Sequence, residues 1–190
     1  MWKKFKEMPI TYPVLIMFII CLVITAALAG TNELTANKIA KINKENENAA
    51  MSRLIKADKY NKNTIKVDGE EFEYYEAQKS GEIEGYILTV GEKGYGGTDS
   101  VMVAVDTKGT VKAIEVLDVS NETPGLGQNT AKKDFTKQYE GKSGTLTAVK
   151  HGMAKADNEI DAVASATISS RAITNAVNTA LKVAQEIAGK

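Results

Sequence analysis

Apolar and polar positions divide this chain into three regimes. From Ile10 to Ala29 the residues are almost all apolar and uncharged, with Thr11, Tyr12 and Pro13 near one edge. About twenty helical residues reach roughly 30 Å, the thickness of a bilayer's hydrocarbon core. A single transmembrane helix over 10–29 is therefore predicted, after a short segment 1–9. From Thr31 to Lys62 the chain is rich in Asn, Lys, Glu and Ala and has no Gly or Pro. Leu34, Ile39, Ile42 and Leu54 trace only a ragged helical stripe, so 30–62 is expected to form a helical stalk packed on one side at most.

Beyond residue 63 the period changes. Glu71-Phe-Glu-Tyr-Tyr-Glu-Ala alternates as a half-buried strand does, and Gly85-Tyr-Ile-Leu-Thr-Val-Gly is a short apolar run between glycines. Val101–Val105 and Val111–Leu117 are β-branched runs joined by Asp106-Thr-Lys-Gly-Thr, a hairpin signature. A short helix is expected over Thr130–Tyr139 and another strand over Gly144–Val149. Ile173, Ala176, Val177, Ala180, Leu181, Ala184 and Ala188 then recur at helical spacing, with Arg171, Asn175, Asn178, Lys182 and Gln185 off that face. The alanines predict a helix lying close against a sheet. The fold class is α+β, with an antiparallel core sheet and a C-terminal helix in a domain spanning 63–190. No G-x-G-x-x-G follows a strand, which argues against a dinucleotide-binding fold of that type.

Charge orients the chain. Lys3, Lys4 and Lys6 against Glu7 leave the first 29 residues at +2 and the remainder at −2. The lysines ahead of the apolar run predict a cytoplasmic N-terminus and an extracytoplasmic domain, with Trp2 and Tyr12 as interfacial anchors. Ala27-Leu-Ala29 resembles a signal-peptidase site, but the apolar run is long for a signal peptide and favours an uncleaved anchor. A mildly acidic body without a basic cluster argues against nucleic acid as a partner. Cys21, the only cysteine, lies in the span, so the domain holds no disulfide, thiolate nucleophile or cysteine-ligated metal. His151 is the only histidine and is expected at the surface. Neither a metal site nor a catalytic acid–base residue is expected.

Three segments carry the candidate chemistry. Gly94-Tyr-Gly-Gly97 precedes the hairpin, and its glycines would let backbone approach a ligand beside Tyr95. Glu122-Thr-Pro-Gly-Leu-Gly127 follows the hairpin as a tight loop displaying Leu126. Ser165-Ala-Thr-Ile-Ser-Ser170 opens the last helix. There a hydroxyl either caps the helix or stands beside a phosphate held by the free first-turn amides, with Ser169 and Ser170 as possible donors.

In this order, and with Asp161 ahead of Ser165-Ala-Thr167, the segments resemble the FMN-binding domain family of respiratory electron-transport complexes. The likeness runs from roughly Gly81 to the C-terminus. Length and the single anchor make the chain most similar to G subunits of Rnf-type complexes. The resemblance implies FMN joined through its phosphate to Thr167, with Ser165 standing where the family has glycine and Ala166 between them. Glu122, Thr123, Gly125 and Leu126 are then implied to line the flavin, with Tyr95 and Gly97 nearby. The resemblance also implies that Asp161 opens the signal read by a flavin transferase. The implied role is electron transfer within a complex coupling ferredoxin oxidation and NAD+ reduction to Na+ or H+ translocation. The implied partners are the complex's other components, the transferase and the lipid bilayer. The C subunit of the Na+-translocating NADH:quinone oxidoreductase, and an anchored flavin-binding sensor, are the alternative readings.

Overall fold

The computed structural model describes residues 11–189. The expected cytoplasmic segment 1–9 with Trp2, and the start of the predicted span at Ile10, lie outside the described residues. The chain divides after Glu45 into two compact units. Helix α1 (Thr11–Leu54) runs without interruption through the predicted span and most of the predicted stalk. Its large apolar residues from Val14 to Leu28 are exposed. Among the described residues it is the one helix long and apolar enough to cross a membrane.

The second unit begins at Asn46, earlier than the expected domain start at 63. Ala50, Met51 and Ile55 bury themselves against Ala77, Ile87, Met102 and Ala104 of the sheet, which draws the end of α1 into the domain. The stalk accordingly stops at Leu54, and residues 59–62 belong to a strand rather than a helix.

Five strands form an antiparallel meander in chain order: β1 (Lys59–Val67), β2 (Glu70–Lys79), β3 (Glu82–Lys93), β4 (Thr98–Val105) and β5 (Val111–Asp118). β1 was not anticipated, because Lys59, Lys62 and Lys66 give it the polar look of an edge strand protected from further pairing. The turns at Asp68-Gly69 and Ser80-Gly81 place both central residues at positive φ, the geometry that closes two-residue hairpins. In the fourth hairpin, between β4 and β5, Asp106 Oδ1 accepts from the Lys108 and Thr110 amides at 2.9 and 2.8 Å.

The central strands are apolar on both faces because both faces are covered. Val101, Val103 and Val105 face α3 (Thr167–Ala188), whereas Met102 and Ala104 face the end of α1. On α3, Ile173, Ala176, Val177, Ala180, Leu181 and Ala184 are buried, each larger aliphatic contributing about 1.5–3 kcal/mol. Ala188, expected on that face, is exposed at the helix end.

Two local expectations change. Over 127–139 the chain forms a 3-10 turn (Gly127–Ala131), a one-turn helix α2 (Lys133–Thr136) and a second 3-10 turn (Lys137–Tyr139), because Lys132 takes extended backbone and interrupts the helix. The strand expected over Gly144–Val149 is only β6 (Thr147–Val149). It pairs in parallel with β7 (Glu159–Asp161), apart from the main sheet. Asn178 of α3 holds this region by accepting from Leu146 N at 2.8 Å and donating to Leu146 O at 2.9 Å.

Candidate functional site

The last helix begins at Thr167, with Ala166 at the cap position and no side-chain cap. Neither Ser165 nor Thr167 caps it. The first-turn amides of a helix have no intrahelical partner, so this end presents free N–H groups and the positive pole of the helix dipole. Ser165, just before, sits at φ 60°, a left-handed conformation that glycine adopts without steric penalty.

An open cleft of about 440 Å³ lies at this helix end. Tyr95, Glu122, Thr123, Leu126, Ser165, Ala166 and Thr167, all singled out from the sequence, line it together. Gly127, Ile168 and Ser169 complete the lining. Ile168 escaped sequence reasoning because it looks like any apolar helix residue, yet it is 53% exposed. Tyr95 and Leu126 are exposed too, so the cleft carries apolar side chains that nothing among the described residues covers.

Gly97, Gly125 and Asp161 are placed elsewhere. Gly97 packs against the Asn121 side chain, and Gly125, at φ 77°, accepts through its carbonyl from Asn129 Nδ2 at 2.5 Å. Asp161 borders a separate groove of about 390 Å³ with Phe135, His151 and Val163. Its Oδ1 accepts from the Met153 and Ala154 amides at 3.0 and 3.1 Å. His151 is exposed, as expected.

Glu122 organises the cleft from behind. Although only 2% exposed, its Oε1 accepts from the Tyr95 and Gly96 amides at 2.6 and 2.9 Å. Its Oε2 accepts from the Ser169 hydroxyl at 2.7 Å. One carboxylate thus joins the Gly94–Gly97 turn, the 122–127 loop and the first turn of α3. Burial by itself would raise its pKa, but the bonds from Gly96, Ser169, Tyr95 and Thr123 outweigh it and hold the carboxyl below its ordinary range.

This arrangement reassigns the glycines. A Cβ on Gly94 would strike both the Asp99 and Glu122 carboxylates, and one on Gly96 would strike the Asn121 carbonyl. The turn needs glycines at 94 and 96 because it lies flat on buried acids and backbone. Ser169 and Ser170, expected as possible phosphate donors, direct their hydroxyl protons to partners within the protein. Ser169 is committed to Glu122, and Ser170 donates to Ala166 O at 2.9 Å while accepting from Val163 N at 3.0 Å. The backbone amides of the first turn remain for an anion.

Against known proteins, residues 94–182 match the family model described as an FMN-binding domain. The chain is 33% identical to the G subunit of the Na(+)-translocating ferredoxin:NAD(+) oxidoreductase complex of Acetobacterium woodii, a match covering 91% of this chain and 90% of that one. It is 34% identical to the G subunit of the proton-translocating ferredoxin:NAD(+) oxidoreductase complex of Clostridium ljungdahlii, over 87% and 84% of the two chains. Among solved structures, the C subunit of the Na(+)-translocating NADH-quinone reductase of Parabacteroides distasonis superposes with a TM-score of 0.55 at 22% identity. That superposition covers 63% of this chain and 64% of the other, and at this identity it speaks for the fold alone.

Proposed function

Because the chain belongs to the FMN-binding G subunits of ion-translocating ferredoxin:NAD(+) oxidoreductase complexes, we propose that it carries electrons through an FMN esterified to Thr167. The observation that carries this reading is the hydroxyl of Thr167 at the first position of an uncapped helix, opening onto a cleft with exposed apolar side chains.

The residues fit such a group. The free amides and dipole of α3 favour a phosphate at Thr167. Leu126, Ile168 and Tyr95 offer apolar surface to a flat ring. Through Glu122, the two loops are held at a constant distance from the helix end, so the pocket is shaped before anything binds. When bound, FMN supplies reversible electron uptake, and the protein contributes position and electrostatics. No side chain is needed as a general acid or base. The established family makes this chain one component of a redox complex that moves Na+ or H+, with the other subunits as its partners.

A flavin transferase attaching the group, with Asp161 in its recognition segment, belongs to the same reading. So does the apolar first part of α1, up to Ala29, as a lipid-embedded anchor with Lys3, Lys4 and Lys6 inside the cell and the domain outside. The test is co-expression of the full chain with a flavin transferase, followed by denaturing electrophoresis. A fluorescent band is expected for the wild type and none for Thr167→Ala. A band retained in Thr167→Ala, or none in the wild type, refutes the ester.

A further inference from the structure

Beneath the cleft lies an acid that none of these roles uses. Asp99, at the start of β4, is fully buried, and neither of its carboxylate oxygens has a hydrogen-bond partner among the described residues. Asp99 Oδ2 and Glu122 Oε1 both crowd the place where a side chain on Gly94 would begin, each overlapping that Cβ position. Two carboxylates sharing a dry space cannot both keep a negative charge cheaply. Glu122 is supplied with N–H and O–H donors, whereas Asp99 has none.

Among the described residues, no cation is among the charges that act on Asp99. The charges acting on it are Glu122, in the loop after β5, and Asp118, at the end of β5. Glu92 stands opposite it in register on β3, and from α3 Ser169 reaches Glu122 with an uncharged hydroxyl. We propose that Asp99 is a positioning residue: protonated, it donates a hydrogen bond to Glu122 and keeps the two glycine loops closed on the helix end, and deprotonated, it repels Glu122 and loosens the cleft. Burial foremost, then the Glu122 and Asp118 charges, raises its pKa to about 6, so the change falls in an accessible pH range. The inference concerns the cleft assigned above to flavin, but its test needs no flavin.

The full chain is made without a transferase, checked by mass to be unmodified at Thr167, and kept in detergent. Hydrogen–deuterium exchange, corrected for intrinsic rates, then follows the Tyr95 and Gly96 amides from roughly pH 5 to roughly pH 8. Protection in the wild type is expected to fall at least about threefold as pH rises through about 6. Asp99→Asn keeps a neutral donor beside Glu122 and should stay protected throughout. Asp99→Leu has no donor and should be less protected at every pH, with no transition. A flat wild-type profile, or an Asp99→Asn profile that follows the wild type, overturns the proposal. Should the variants fail to fold, carboxyl NMR of the wild type labelled with 13C-aspartate decides. One aspartate titrating well above the rest supports it, and ordinary titration of all of them overturns it. The result stands whether or not Thr167 proves to carry FMN.

Discussion

Gly127→Ala tests the Glu122 clasp most directly, with Gly125→Ala as its partner. By backbone alone their order is clear. Gly125 sits at φ 77° in open space, so alanine there adopts a left-handed conformation costing about 1–2 kcal/mol. The lower entropy of the unfolded chain offsets part of that, leaving about 1 kcal/mol. Gly127 has no such constraint, and alanine would be neutral or slightly stabilising. Packing reverses the order. A Cβ on Gly127 would overlap Glu122 Oε2 and lie 2.8 Å from Ser169 Oγ and 2.9 Å from Glu122 Cβ, where all three residues are buried. If the side chains stay, overpacking costs about 1–3 kcal/mol. If Glu122 turns away, it loses a charge-assisted bond worth about 1.5–3 kcal/mol. Whichever route is taken, a net loss of about 1–3 kcal/mol is expected, and at roughly 2–4 °C per kcal/mol the midpoint falls about 2–12 °C. Thermal melting of the full-length variants in detergent reads this, and flavin loading should fall with it for Gly127→Ala. If Gly125→Ala proves more damaging, or Gly127→Ala melts with the wild type, the clasp does not hold the site as argued.

Tyr139→Phe should cost about 1 kcal/mol in chemical denaturation, since the fully buried Tyr139 hydroxyl shares a 2.8 Å hydrogen bond with Thr174. At Ser165, φ 60° predicts that glycine is tolerated and valine is not. Ser165→Gly should retain full flavin loading, and Ser165→Val should lose most of it on the same fluorescent gel. The two buried acids give opposite pH dependences. Glu122 has a lowered pKa, so its contribution is present above the ordinary glutamate value and is lost as pH falls through the folded value. Asp99, raised from 3.8 to about 6, contributes most below the ordinary aspartate value and loses that as pH rises through about 6. That interval is worth about 2–3 kcal/mol. Asp99→Asn should abolish the decline between about pH 4 and about pH 6 in melting curves while keeping the acid limb.

Periodicity made much of the architecture legible. The apolar run, the hairpin of β4 and β5 and the face of α3 each repeat a local rule over enough residues to stand out, and local rules need no knowledge of neighbours. β1 and the end of α1 do not stand out in the sequence because their burial depends on a partner. A lysine-rich edge strand becomes a strand only by pairing with β2, and Ala50, Met51 and Ile55 become core only because the sheet's second face needs a cover.

The candidate site divides in the same way. Thr167 at a helix start, the order of the three segments and the family likeness are properties of the sequence, because chain order and capping chemistry are written in it. Only the tertiary structure decided that Gly94 and Gly96 make room for buried acids and backbone, and that Ser169 is bound to Glu122. It also separated the roles of Gly125 and Gly127 and set Asp99 beneath the cleft without a partner among the described residues. Each of these turns on which atoms from distant segments share a dry space. Residues 94, 99, 122 and 169 meet only once the sheet and α3 have packed, and local sequence carries no record of that meeting.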